Sequence, residues 1–194
     1  MPSQTIARLP TGPEDSVCQI WVVSDGTPGM RLQAVAMAES LLKARPDWEY
    51  EQFTVTPHRW IRALPRLAAA VPKIPLYDTA KDGMLDRRPH AGRYPHILVT
   101  CGRRMAGYAL ALKRRARADG LDMQTVHLQD PRLPPHLFDA MIVPAHDRAR
   151  ARNVLVTTGS LNRLTLTSMQ KAMMDLPTRW LSAARTNAVT VMLG

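Results

Sequence analysis

The stretch VCQIWVVSDGTPGMRLQAVAMAESLLKA, residues 17–44, decides the fold class of this chain. It opens with a continuous apolar run, passes through the Gly/Pro turn SDGTPG at residues 24–29, and ends with apolar residues at helical spacing over residues 31–44. A solid apolar run rich in β-branched side chains is typical of a strand buried on both faces. The stretch therefore predicts a strand–turn–helix unit of an α/β protein.

The same alternation of apolar runs and helical stretches continues to the end of the chain. The predicted later strands are residues 50–55, 96–101, 124–129, 140–144, 153–157 and 189–193, and the predicted later helices are residues 58–64, 67–71, 104–118 and 168–175. Residues 56–95 hold six prolines and are either a helical excursion off the sheet or a functional lid. The pattern predicts a Rossmann-like, mostly parallel sheet with helices on both faces and one reversal of strand order.

The composition of the chain excludes several classes of protein. The 194 residues are 45% apolar with a net charge of +10, which is globular rather than disordered. No uncharged apolar run approaches the roughly 18 residues of a membrane span, and residues 1–16 lack the apolar core of a secretory signal. Cys18 and Cys101 lie in strand-like runs, which predicts buried, reduced thiols in a cytoplasmic protein. No metal-ligand spacing is present, so we expect neither a metal site nor a cofactor.

The positive charge is concentrated after residue 50. The first 50 residues carry a net charge of −2 and the remainder carries +12. Such a surface favours anionic partners: nucleic acid, phosphorylated substrates or anionic lipid. A solvated basic helix face explains the same charge equally well. Nucleic acid is the least favoured of these partners. Only 5% of the residues are aromatic, so few side chains are available for bases to stack on.

Loops that follow strands are the candidate ligand sites, because ligands in such sheets bind beyond the carboxyl ends of the strands. The first loop contains Asp25, Gly26 and Gly29 ahead of a helix whose N-terminus favours an anion. It matches neither the dinucleotide fingerprint nor the P-loop, so a simple tight turn is an equal alternative. In the second loop, Arg103 and Arg104 open a helix, where positive charge is unfavourable unless an anion is bound. The alternative is that both arginine side chains are solvated and bind no anion.

Three further loops carry polar groups. In QDPRLPP, Asp130 either orients a hydroxyl or pairs with an arginine, and Arg132 is a candidate anion ligand. In PAHD, His146 is either a general base or a hydrogen-bonded structural histidine. In TTGSLNRLT, the polar groups either cradle a phosphate or an acceptor hydroxyl group, or cap the loop; they are Thr158, Gly159, Asn162 and Arg163. All five loops are expected to converge on one edge of the sheet.

Four segments together resemble the Elm-type mitochondrial fission family. They are WVVSDGTPGMRLQAVAMAESL, HILVTCGRRMAGYALALKRR, TVHLQDPRLPPHLFDAMIVPAHD and NVLVTTGSLNRLT, and the specific part is QDPRLPP followed by FD and P-x-HD. The resemblance implies the N-terminal lobe of a GT-B glycosyltransferase-like fold, which has two Rossmann-like lobes and a cleft between them. In plants the family is associated with recruiting the division machinery to the mitochondrial outer membrane.

The chain departs from the family pattern at two places. Met30 stands where the family usually has a polar residue or histidine, and the chain ends at VTVMLG, where the family continues into a glycine-rich turn. We therefore expect a flexible segment over residues 1–16, the N-terminal lobe over residues 17–188, and the truncated start of a second lobe over residues 189–194.

The resemblance implies a sugar- or phosphosugar-binding lobe of a glycosyltransferase-like protein that is inactive alone. The expected partners are a nucleotide sugar or a phosphorylated acceptor. Arg103, Arg104 and Arg163 are expected to hold anionic groups, Asp25 and Asp130 to hold hydroxyls, and His146 and Asp25 to be the candidate catalytic groups. The alternative is a non-enzymatic adaptor, cytoplasmic or peripheral at a membrane, whose basic face binds an anionic membrane surface or a protein partner.

Overall fold

The structure of the chain is a computed structural model that describes residues 17–68, residue 70 and residues 94–177. The chain divides into two compact units, the first ending at Asn162 and the second beginning at Arg163. This boundary falls inside the segment that the sequence assigns to one lobe. The expected N-terminal segment 1–16 and the expected strand 189–193 lie outside the described residues.

Within the described residues, the first unit contains a six-stranded sheet in which all neighbouring strands are parallel. Its strands are β1 (Gln19–Ser24), β2 (Glu49–Thr54), β3 (Ile97–Cys101), β4 (Gln124–Leu128), β5 (Ala140–Pro144) and β6 (Val154–Thr157). Its helices are α1 (Pro28–Ala44), α2 (Arg59–Ala63), α3 (Pro65–Ala68) and α4 (Arg103–Ala118). The strand order β2-β1-β3-β4-β5-β6 reverses once, between β1 and β3. The predicted α/β class and the single reversal are confirmed.

The centre of the sheet is buried on both faces, which explains why the inner strand β3 reads as a solid apolar run. Every residue of β3 is buried, and its side chains alternate between two cores. Leu98 lies in the core that contains Met105 of α4, whereas Ile97 and Val99 lie in the core that contains Val35 of α1. The predicted placement of helices on both faces is therefore confirmed.

Helix α1 begins at Pro28, three residues earlier than the apolar spacing predicts. Proline suits the first helical position, because its φ is already helical and its missing N–H would have no partner there. Gly29 therefore lies in the first turn of α1, and the prediction that it belongs to the loop is wrong.

The two cysteines differ in burial. The prediction that both thiols are buried is confirmed for Cys101 but is wrong for Cys18, which precedes β1 and is half-buried.

The described part of the proline-rich stretch is helical and packs on α4. His58 caps α2 by accepting the Trp60 N–H at its Nδ1, 3.4 Å away. Gly107 permits the close approach of α4 to α2, since a Cβ at this position would lie 2.6 Å from the carbonyl oxygen of Ile61. The helix pair α2–α3 is thereby fixed beside the sheet.

In the second unit, the described residues form helix α5 (Leu166–Met174). It begins two residues before the predicted start, because Thr165 and Ser168 form a reciprocal capping box that fixes the first turn. Leu166, Met169 and Met173 are exposed and recur at helical spacing. Among the residues that the structure describes, no helix combines the length and apolar character needed to cross a bilayer.

Candidate functional site

The five candidate loops follow β1, β3, β4, β5 and β6, so the parallel sheet places all of them at one edge. Asp25, Arg103, Asp130, His146 and Gly159 stand at or near the starts of these loops. Ligands of open parallel sheets bind in the crevice at this edge where the strand order reverses. In this chain that crevice lies between the ends of β1 and β3.

Asp25 is held in place at the crevice. Its side chain is only 9% exposed, and its Oδ1 accepts the Thr27 N–H at 3.1 Å. Its Oδ2 lies 3.6 Å from Nη1 of Arg104, the second residue of α4. The Arg104 side chain is 66% exposed, so it retains N–H donors for a ligand. The structure thus brings the first and second candidate loops together through this ion pair.

Glycine is required in both of these loops. Gly26 has a φ of +83° and Gly102 a φ of +81°, values that L side chains rarely adopt. The Met30 side chain lies against the second loop: a Cβ on Gly102 would be 3.1 Å from its Sδ, and the Cys101 thiol donates a weak hydrogen bond to that sulfur at 3.5 Å. The family resemblance leads us to expect a polar residue or histidine at position 30, but Met30 makes an apolar contact with the second loop instead.

The hydroxyl of Ser24 is buried at the end of β1 and has no hydrogen-bond partner among the described residues. Ser24 is 2% exposed, and leaving a buried hydroxyl unpaired costs about 1–3 kcal/mol. Such a group at the carboxyl end of β1, beside the crevice, is a candidate hydrogen-bond partner for a bound ligand. Our sequence predictions did not include Ser24, although a polar residue closing a solid apolar run is a visible signal.

The thiol of Cys101 lies next to the crevice and is buried. Burial, with a smaller contribution from the Asp25 carboxylate, raises the pKa of Cys101 to about 12. The thiol is therefore neutral at physiological pH, whereas nucleophilic cysteines need a low pKa and access.

Two helix N-termini open at this edge without side-chain caps. The N-cap residues Thr27 of α1 and Gly102 of α4 make no side-chain capping hydrogen bond, and neither helix has an acidic residue in its first turn. The first N–H groups of both helices carry partial positive charge that favours an anion. Arg103, exposed at the start of α4, adds a full charge.

The loops after β4 and β5 are joined by the Asp147 carboxylate. Asp130 accepts the Arg132 N–H at 2.7 Å and donates its own N–H to Asp147 Oδ2 at 3.0 Å. The predicted alternative was that Asp130 pairs with an arginine; among the described residues, no arginine side chain forms an ion pair with it. His146 is 75% exposed, and its Nε2 lies 4.0 Å from Asp147 Oδ1. Asp147 thus connects two loops and does not orient the imidazole.

The loop after β6 uses its polar groups for its own turns. The Thr157 hydroxyl donates to the carbonyl of Gly159 at 2.7 Å, and Asn162 donates to the carbonyl of Ser160 at 3.5 Å. Thr158, Gly159 and Asn162 belong to the first unit, whereas Arg163 is the first residue of the second. Across the described residues, no group of three or more His, Cys, Asp or Glu side chains lies close enough to hold a metal ion.

Comparison with known proteins gives two matches. The family described as mitochondrial fission ELM1 matches residues 28–194. The uncharacterized protein RP120 of Rickettsia prowazekii (strain Madrid E) is 29% identical over 128 residues, which cover 66% of this chain and 32% of that protein. The chain thus spans about a third of the length of this relative. No solved structure matches the chain.

Proposed function

Because the chain belongs to the mitochondrial fission ELM1 family, we propose that its first unit is the sugar-phosphate- or nucleotide-sugar-binding lobe of a glycosyltransferase-like protein. The observation that carries the proposal is the unpartnered, buried hydroxyl of Ser24 at the point where the strand order reverses. Ser24 precedes Asp25 in sequence and ends β1 at the edge of the sheet where two uncapped helix N-termini open. This combination suits a ligand that has both hydroxyl groups and negative charge.

The two kinds of ligand group have separate partners in this crevice. Phosphate oxygens would accept hydrogen bonds from the first N–H groups of α1 and α4 and from the guanidinium groups of Arg103 and Arg104. Sugar hydroxyls would donate to the Asp25 carboxylate and exchange hydrogen bonds with Ser24. The Asp25–Arg104 ion pair keeps both side chains in place before a ligand arrives.

We propose ligand binding without sugar transfer for this chain. His146 is the candidate base, but it is exposed and the Asp147 carboxylate does not orient it. Sugar transfer also requires donor and acceptor to be held together, and positioning supplies much of the rate. Turnover of a nucleotide sugar by the purified chain would contradict this part of the proposal.

Isothermal titration calorimetry with UDP- and GDP-linked sugars tests the binding site. The double variant Arg103→Ala/Arg104→Ala should weaken binding by roughly tenfold or more, because it removes charge-assisted hydrogen bonds. The matched control is Arg114→Ala/Arg117→Ala, which removes the same charge near the other end of α4. Equal weakening by both double variants would show a general charge effect and contradict a defined site.

The basic surface favours a second candidate function, that of an adaptor. The chain carries a net charge of +10, and α4 exposes arginines near its C-terminal end. An adaptor of this kind would act in the cytoplasm, at an anionic membrane surface or on a protein partner. Salt-sensitive co-sedimentation with anionic vesicles, together with no calorimetric signal for nucleotide sugars, would favour the adaptor over the binding lobe.

A further inference from the structure

A cleft of about 480 Å³ lies between the α2–α3 pair and the loop after β4. Its walls are apolar apart from two arginines, and the apolar part includes Leu64 and Pro65 on one side and Pro131 and Leu133 on the other. The volume lies within the range of small-molecule sites. Leu64 is 45% exposed although it faces this cleft, so apolar surface is left open there.

The charge in the cleft is positive. Arg66 and Arg132 line it, and none of the carboxylates in the described residues does. Within the part of the chain that the structure describes, neither guanidinium has an ion-pair partner. The nearby Asp130 uses its Oδ1 to accept the Arg132 backbone N–H, rather than to neutralise the side chain.

The backbone of Arg132 has a strained conformation. Its φ is +59°, in the left-handed region that glycine adopts without strain and other residues avoid. The Asp130 hydrogen bond of 2.7 Å and the preceding Pro131 fix this conformation. Strained residues of this kind cluster at ligand sites, where the surrounding structure maintains them. A glycine at this position would remove the strain but would lack the guanidinium that lines the cleft.

We propose that this cleft binds a small amphiphilic anion, one whose short alkyl or prenyl chain carries a single phosphate or carboxylate. The chain of the ligand would pack against the apolar walls, and its acidic group would pair with Arg66 and Arg132. The wall formed by α2 and α3 is held in place, because α2 packs on α4 through the close contact at Gly107. The lining of the cleft shares no residue with the crevice between β1 and β3, and the proposal does not depend on the function proposed for that crevice.

Calorimetry with monomeric octyl phosphate tests the cleft, with octanol and inorganic phosphate as the two partial ligands. Octyl phosphate should bind at least tenfold more tightly than either, since each partial ligand lacks one of the two groups that the cleft recognises. Binding no tighter than that of inorganic phosphate would overturn the proposal. Binding to anionic vesicles without binding of the monomeric compound would also overturn it, because it would assign the signal to a membrane headgroup.

The variant Arg132→Gly separates ligand binding from folding. It should raise the urea midpoint of unfolding, because the left-handed backbone no longer bears a Cβ, and it should weaken octyl phosphate binding by at least tenfold. Arg66→Gln should weaken binding to a similar extent, whereas Arg62→Gln, on α2 but outside the cleft lining, should bind as the wild type does. Wild-type affinity in Arg132→Gly or Arg66→Gln would refute the site.

Discussion

Mild acid should destabilise the protein through the buried imidazole of His127 in β4. Its ring is fully buried and stacks on Phe138 with 4.8 Å between the ring centroids. Its Nδ1 shares a hydrogen bond of 2.8 Å with the Thr100 hydroxyl, and its Nε2 has no partner among the described residues. Burial lowers the pKa of His127 to about 3, so the ring stays neutral in the folded protein at mildly acidic pH.

The size of the effect follows from proton linkage. In the unfolded chain the imidazole has a pKa of about 6.5, so between about pH 6.5 and about pH 3 only the unfolded state binds the proton. Through this interval the free energy of unfolding falls by about 1.4 kcal/mol for each pH unit. Between about pH 7.5 and about pH 5 the loss from His127 alone is about 2 kcal/mol. That loss is a large fraction of the stability of an ordinary domain.

Urea unfolding followed by tryptophan fluorescence measures this loss in the wild type and in His127→Asn. Asparagine keeps a polar group for Thr100 but does not titrate. The variant should be less stable throughout, because its side chain is smaller, yet its free energy of unfolding should fall by about 2 kcal/mol less over the same pH interval. His136→Asn, at an exposed position, is the control and should keep the wild-type slope. An unchanged slope in His127→Asn would refute the reasoning.

Two further variants test the packing of the first unit by urea unfolding. Gly107→Ala should lower the free energy of unfolding by about 1–3 kcal/mol, because the added Cβ would lie 2.6 Å from the carbonyl oxygen of Ile61. Gly29→Ala, where a Cβ meets nothing within 4 Å, should not lower it; equal losses would contradict the close contact. Asp139→Asn should cost about 1–3 kcal/mol, since its carboxylate accepts hydrogen bonds from β4 and from a lysine of α4. Asp47→Asn, in an exposed ion pair, should cost much less than Asp139→Asn, and a similar loss in both would argue against the network.

The architecture could be predicted from the sequence because a strand that is buried on both faces must be apolar along its whole length. The solid apolar run at residues 96–101 identifies β3, which is buried on both faces, and the following helical spacing identifies α4. The start of α1 was predicted too late, although Pro28 carried the signal. The edge strand β2 has a weaker pattern, yet it lies within one residue of its predicted bounds.

The candidate loops were predictable as a group, but the contacts within them were not. All five follow parallel strands, which is enough to place them at one edge. The left-handed backbone of Gln129 and Arg132 has no sequence signal, because neither residue type favours it. The hydrogen bond between Asp130 and Asp147 depends on β4 and β5 being neighbours. The cleft beside Arg66 likewise depends on two segments that are distant in sequence.

Nuclear magnetic resonance mapping of a nucleoside diphosphate sugar onto the backbone amides tests the proposed binding crevice most directly. If the ligand binds where the strand order reverses, the largest chemical-shift changes should fall on Asp25, Gly26, Gly102 and Arg103, which flank that crevice. If binding is only an effect of the basic surface, the changes should instead spread over the exposed C-terminal end of α4 around Arg117. The first pattern is the predicted result, and the second would contradict the account.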